Sequence, residues 1–196
     1  MNNLFLETIK VEDGKLFHLE YHQKRYESVL SSLHVTAFQN LQSLLHPPQK
    51  GLYRCRVLYS DKSIAVSYHL YHKRKIEKLK LIFDDTIEYS KKYADRSQLD
   101  NNFAYKEDAD DILMIKNDLV TDTSIANIAF FDGEKWLTPK NPLLKGTTRA
   151  RLLDTKQIYE KNIYVHELVK YEKVALLNAM IDFDIIAEDK QKGLYC

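Results

Sequence analysis

Three stretches of this chain bring together side chains that could do chemistry. They are Lys91-Lys92-Tyr93-Ala94-Asp95-Arg96, then Val120-Thr121-Asp122-Thr123-Ser124-Ile125-Ala126-Asn127-Ile128, then Lys145-Gly146-Thr147-Thr148-Arg149. A lysine can form a Schiff base with an aldehyde. A carboxylate beside a Ser/Thr-rich turn can keep a pyridine nitrogen protonated. A Gly-Thr-Thr turn that opens a helix offers backbone N–H groups and hydroxyls to a phosphate. In this order they are the parts of a pyridoxal phosphate site.

Each part has an ordinary structural reading. Most lysines are solvated, and on an extended segment Lys91 and Lys92 face opposite ways, so only one can reach a cofactor. Thr121-Asp122-Thr123-Ser124 on its own reads as a polar turn. Arg25 supplies a fork of donors suited to a phosphate, but it could equally lie on a helix surface. Thr147 or Thr148 could be a plain helix cap, with Gly146 before it. Arg149 reads as half of a structural ion pair.

The elements that must hold these residues follow from periodicity. Phe5 to Val11 alternates and meets a hairpin signal, Glu12-Asp13-Gly14-Lys15. Leu19, Tyr26, Val29, Leu30 and Leu33 give a helical period. A second helix is expected through Phe38, Leu41, Leu44 and Leu45, stopping at Pro47-Pro48. Strands are expected at Leu52–Tyr59, Ser63–Tyr71 and Ile76–Phe83, all in one small sheet. A helix near Gln98–Tyr105 leads to a strand at Asp111–Lys116, a turn at Asn117-Asp118 and a return at Ser124–Phe131. Beyond these come Trp136-Leu137, a helix from Thr147 to Leu153, a strand at Ile163–Val165, a short helix at Glu167–Lys173 and a strand at Val174–Ala179. The expectation is an α+β chain of two lobes, 1–84 and 85–196, with 85–91 as the connector.

Bulk properties narrow the function. With 196 residues the chain can bury a substantial core, and a formal net charge of +1 gives no global field for nucleic acid or membrane. The run His72-Lys73-Arg74-Lys75 reads as edge protection, since it lacks glycine and stacking aromatics. Cys55 and Cys196 make no disulfide framework, and the histidines show no metal spacing. No apolar run approaches the roughly 18 residues a membrane span requires. Met1-Asn2-Asn3-Leu4 lacks the features of a signal peptide. A soluble, cytoplasmic, metal-free protein is the expectation.

The motifs resemble those of the class IV aminotransferases, which include branched-chain and D-amino-acid aminotransferases and aminodeoxychorismate lyases. Lys92-Tyr93-Ala94-Asp95-Arg96 is similar to the lyases' Lys-x-x-x-Arg. Thr121-Asp122 with Asn127-Ile128 resembles Thr-Glu-x-x-x-x-Asn-Leu/Ile-Phe, with aspartate in place of the usual glutamate. Thr138-Pro139 and Gly146-Thr147-Thr148-Arg149 resemble Tyr-Thr-Pro and Gly-Ile-x-Arg. Phe5-Leu6-Glu7-Thr8, Asp13-Gly14-Lys15 and His22-Gln23-Lys24-Arg25 resemble the opening strand, hairpin and His-x-x-Arg helix. Asn178-Ala179-Met180 is closer to the lyases' Asn-Ala/Ser-Leu than to transaminase patterns. The likeness runs from Leu4 to about Phe183.

The resemblance implies a two-lobed D-amino-acid aminotransferase-like fold, with an N-terminal α/β sandwich and a C-terminal pseudo-barrel. It implies pyridoxal 5'-phosphate as cofactor, with Lys92 as the Schiff-base lysine and Asp122 on the ring nitrogen. Arg25, Gly146, Thr147 and Thr148 would hold the phosphate, and Arg96 and Asn178 would lie toward the substrate. It implies a homodimer acting on a small molecule. The expected activity is lysis of aminodeoxychorismate to 4-aminobenzoate and pyruvate in folate synthesis. A transaminase for D- or branched-chain amino acids is the alternative, and a degenerate, non-catalytic member is a third reading.

Overall fold

A computed structural model describes Leu4–Ala187 and Tyr195; Met1-Asn2-Asn3 and Cys196, weighed above, lie outside the described residues. The chain divides into two compact units, one comprising Met1–Lys73 with Lys91–Asp95 and the other Arg74–Ser90 with Arg96–Cys196.

The first unit is an antiparallel sheet covered by a helix. Strand β1 (Phe5–Glu12) turns through Asp13-Gly14 into β2 (Lys15–Leu16), and β3 (Leu52–Tyr59) and β4 (Ile64–Leu70) complete the order β2-β1-β3-β4. Asp13 and Gly14 both have positive φ, the twist that a tight two-residue hairpin requires. Alternation along β1 places Phe5, Ile9 and Val11 on the core face, opposite Tyr59, Cys55 and Tyr53 of β3 respectively. Helix α1 (Leu19–Ser31) lays His22, Tyr26, Val29 and Leu30 on that face, spaced as one helical stripe. Helix α2 (Leu41–Leu44) is a single turn capped by the Asn40 side chain. The longer helix expected there does not form, and Phe38 is left partly exposed before the turn. Residues 91–95 return beside β1: Leu6 N–H donates to Lys92 O at 2.8 Å, Ala94 N–H donates to Leu4 O at 2.8 Å, and Phe5 pairs with Tyr93.

The second unit starts earlier than the sequence suggests. β5 (Leu79–Phe83) pairs in parallel with β6 (Asp111–Lys116), so it belongs to this sheet and not to the first. The boundary therefore falls at Arg74, and the expected division at residue 84 is corrected. Leu79 is drawn here because it joins the core of Leu113, Ile115, Ile128, Phe130 and Leu176. Helix α3 (Ser97–Phe103) runs into a 3-10 turn at Ala104–Lys106. Next come β7 (Leu119–Thr123), β8 (Asn127–Phe131), β9 (Trp136–Pro139), helix α4 (Thr147–Asp154), β10 (Ile158–Lys161), a 3-10 turn at Val165–Lys170, β11 (Lys173–Asn178) and β12 (Asp182–Ala187). Ile163–Val165, expected as a strand, contributes only a bridge from Tyr164 to Leu119.

The sheet branches at β8. One edge pairs with β11 along its length, while the other gives its first residue to β7 and its last two to β9. Both faces are covered. Ile128 and Phe130 enter the large core, and Ala129 packs with Leu152 of α4, Ile158 and Leu177. That is why Asn-Ile-Ala-Phe-Phe reads as a nearly continuous apolar run.

Candidate active site

Glu7 occupies a core position of β1, between Phe5 and Ile9, and is fully buried. An unpaired carboxylate there would be very costly. It is paired from α1, where His22 and Arg25 are three residues apart and share a face. Arg25 grips it with two bonds, Nε to Oε1 at 2.8 Å and Nη2 to Oε2 at 2.6 Å. His22 Nδ1 lies 2.7 Å from Oε2. Burial alone would raise the Glu7 pKa, but the Arg25 charge and the bonds from His22 and Arg25 outweigh it and hold it at about 2. Burial pushes His22 below its ordinary range; Glu7 opposes that, and the Arg25 and Lys92 charges add to it. Facing a carboxylate, which can only accept, Nδ1 is the ring nitrogen that donates. Arg25 is not a solvated helix residue, since only 14% of its side chain is exposed. The roles of Glu7 and His22 had a signal in the sequence: a lone acid on the apolar side of an alternating strand, with basic residues at helical spacing to answer it.

Residues 91–95 pair with β1 through Tyr93 and Phe5. Tyr93 packs on the Phe5 ring, at 5.4 Å between centroids. Lys91 is turned to the same face, where its Nζ donates to Ser32 Oγ at 2.7 Å and lies over the Phe5 ring at 5.9 Å. The backbone bends at Lys92, where Tyr93 N–H donates to Lys91 O at 2.9 Å, and the Lys92 charge is felt at His22.

In the second unit Asp122 is not in a turn, as Thr-Asp-Thr-Ser suggests, but within β7. The residue is 5% exposed. Oδ1 accepts from Asn127 Nδ2 at 2.7 Å, and Oδ2 accepts from Leu144 N–H at 2.8 Å. Asn127 Nδ2 also donates to Leu144 O at 2.7 Å. Burial pushes Asp122 up to about 7, only partly opposed by these neutral donors and the more distant Arg149 charge. Asn127, which the motif contains but whose part is not evident from sequence, is the hub of this arrangement. It also explains Gly146, because a Cβ at that position would stand 2.0 Å from Asn127 Oδ1.

Gly146 is the N-cap of α4, and no side chain caps the helix. Thr147 and Thr148 follow as its first residues, both buried, so neither is the cap. Arg149 pins the helix by donating Nη2 to Pro139 O at 2.8 Å and to Glu160 Oε1 at 2.7 Å, the structural ion pair its position suggests. Arg96 and Asn178, expected toward the substrate, are bonded to the turn after Asp122. Arg96 Nη2 donates to Ser124 O at 3.0 Å, and Asn178 Nδ2 donates to Ile125 O at 3.3 Å. Among the described residues no cluster of histidine, cysteine, aspartate or glutamate could hold a metal. No described helix is long and apolar enough to cross a membrane.

A model of amino-transferase class IV matches residues 93–187. A protein of Haemophilus influenzae, described only as uncharacterized, is 38% identical over 180 residues, covering 89% of this chain and 96% of its own. The chain belongs to the class IV aminotransferases. A crystal structure from Haemophilus somnus, named "putative 4-amino-4-deoxychorismate lyase", is 35% identical with a TM-score of 0.82, covering 92% of this chain and 97% of that one. A "Putative aminodeoxychorismate lyase" of Schizosaccharomyces pombe is 28% identical over 200 residues, covering 91% and 86%. The α+β architecture of two sheets is that of the class, and the chain is a pyridoxal-phosphate-dependent enzyme, a lyase or a transaminase.

The residues present fit that cofactor. Asp122 is a buried acid whose two bonds come from neutral donors, leaving acceptor capacity for a cationic ring N–H⁺. The α4 N-terminus has no side-chain cap and begins with two buried hydroxyls, which suits an anion.

Proposed function

We propose that the protein is an aminodeoxychorismate lyase, converting 4-amino-4-deoxychorismate to 4-aminobenzoate and pyruvate for folate synthesis. The observation that carries this reading is the 35% identity to the Haemophilus somnus protein bearing the lyase name, over 92% of this chain. The Lys92-x-x-x-Arg96 and Asn178-Ala179-Met180 patterns support it.

In this reading Lys92 holds pyridoxal phosphate through its amine. When bound, the cofactor supplies an electron sink for breaking a C–H bond beside the substrate amine. Lys92 Nζ would be the base that takes the proton from the carbon bearing the substrate amine. Asp122, ionised against the ring N–H⁺, maintains the sink. Arg25 and the N–H groups and hydroxyls at Gly146, Thr147 and Thr148 hold the phosphate, with Glu7 aiming the Arg25 fork. Proton removal and loss of the enolpyruvyl group aromatise the ring, which supplies much of the driving force. A homodimer in the cytoplasm completes the proposal, as in the family.

The test is spectroscopic and then chemical. The purified protein should absorb near about 410–430 nm, with borohydride abolishing the band. Aminodeoxychorismate without any 2-oxo acid should give repeated turnovers of 4-aminobenzoate and pyruvate. If that substrate is inert while D-alanine or leucine bleaches the band and a 2-oxo acid restores it, the protein is a transaminase. No band with added cofactor leaves the degenerate member.

A further inference from the structure

Two side chains expected to meet the substrate instead grip one short turn, and it is the turn that follows Asp122. Ser124, Ile125 and Ala126 reverse the chain between β7 and β8. Thr123 closes the inside of the turn: its N–H donates to Ala126 O at 2.9 Å, and its hydroxyl oxygen lies 3.1 Å from Ala126 N. The carbonyls of Ser124 and Ile125 are taken from outside, by Arg96 and Asn178 respectively.

Both donors are themselves held. Arg96 stands at the N-cap of α3, with Asp100 of the next turn 3.4 Å from Nη2. Asn178 ends β11, and its Oδ1 accepts from Met180 N–H at 2.9 Å and Ile181 N–H at 3.1 Å. With the amide oxygen committed to its own hairpin, the amide nitrogen is left to face Ile125. The ladder is irregular at Asp122: on the β6 side Thr123 faces Leu113 and Val120 faces Ile115 with the register shifting between them, and on the β8 side Asp122 pairs with Asn127 alone. The turn beside it therefore shares in placing the carboxylate with Asn127 and Leu144.

We propose that Arg96 and Asn178 are positioning residues, setting the Asp122 carboxylate through the Ser124–Ile125 turn, in place of the substrate contacts their motifs suggest. The proposal rests on the reading of Asp122 as the ring-nitrogen partner. Asn178→Asp keeps the acceptor for Met180 and Ile181 but removes the donor to Ile125; Arg96→Gln shortens and neutralises the other grip. Cofactor-free protein is titrated with pyridoxal 5'-phosphate by equilibrium dialysis, and kcat and KM are measured with aminodeoxychorismate. Each variant should bind the cofactor about tenfold more weakly and lose about tenfold in kcat, with KM within about twofold of wild type. Arg96→Lys, which can still donate to one carbonyl, should recover both losses.

A tenfold or larger rise in KM, with cofactor affinity and kcat unchanged, would show substrate contacts and overturn the proposal. If Asn178→Asp does not fold, Asn178→Ser, which adds no charge and cannot reach Ile125, carries the same expectations. Asp122→Asn in the same dialysis separates the two levels. If it binds cofactor as wild type does, the reading of Asp122 fails; if it is impaired while the Arg96 and Asn178 variants are normal, this proposal alone fails.

Discussion

Replacing Asp122 with asparagine should change how the stability of the cofactor-free protein depends on pH. Burial lifts this carboxyl from its ordinary 3.8 to about 7. At 1.36 kcal/mol per pH unit, that gap is on the order of 4 kcal/mol. A folded pKa above the unfolded one means the folded state holds the proton more tightly. The contribution is therefore complete below about pH 4 and is lost as pH rises through about 7. Integrating the two titrations, roughly 2–3 kcal/mol of that loss falls between pH 5 and pH 8. Asparagine does not titrate, but its NH₂ must face one of the two donors now met by Asp122, which costs on the order of 1–3 kcal/mol at every pH. The variant should thus be the less stable protein at pH 5 and gain on wild type by roughly 2–3 kcal/mol by pH 8. Urea unfolding of both proteins at four pH values measures this, and the difference between them cancels Glu7 and other shared groups. Stability curves that stay parallel from pH 5 to 8 would refute the reasoning, because they would mean that water reaches Asp122. Saturating pyridoxal phosphate should flatten the wild-type dependence, since the ring N–H⁺ then opposes the charge.

Borohydride reduction and peptide mapping should place the pyridoxyl mass on Lys92, with Lys91→Ala still labelled; a label on Lys91 alone would reverse the assignment drawn from its bond to Ser32. Gly146→Ala forces a methyl to within 2.0 Å of Asn127 Oδ1. It should cost about 1–3 kcal/mol in urea unfolding and weaken cofactor binding in dialysis; wild-type values in both would show that Asn127 moves aside freely. Glu7→Gln strands the Arg25 charge against a buried amide and should cost on the order of 3–5 kcal/mol at pH 7. With the folded Glu7 pKa depressed to about 2, that deficit should shrink as pH falls from the ordinary 4.5 toward 2. A deficit independent of acid pH would mean the pair is not ionised.

The strands that carry unmixed alternation were legible in the sequence, as were Asn117-Asp118 and the start of α4. What escaped did so for physical reasons. β7 is written Leu-Val-Thr-Asp-Thr, a polar tract that local propensity assigns to a turn. It is a strand because Thr121 Oγ1 donates to Met114 O and Asp122 is satisfied by Asn127 and Leu144, contacts made by residues up to 22 positions away. The same distance hides Asn127 itself. The parallel partner of β5 lies beyond α3, so no pattern within residues 76–83 says which sheet they join. Where Lys91 points was hidden in the same way, because its partner Ser32 lies 59 positions away.

The two buried carboxylates show how much a partner matters once water is removed. Glu7 and Asp122 are both shielded, yet one is held down near 2 and the other pushed up to about 7. Glu7 meets a guanidinium fork and a ring N–H, so its charge is fixed before any ligand arrives. Asp122 meets an amide and a backbone N–H, donors that satisfy its geometry without cancelling its charge. Its ionised form is therefore poised to gain from a cation. A ring nitrogen arriving with a proton would be worth more to Asp122 than to an acid already paired, and Asp122 would in turn keep that proton in place. An arginine within reach of Asp122, as Arg25 is of Glu7, would make a more stable protein and a poorer electron sink, because the charge would be spent before the cofactor bound.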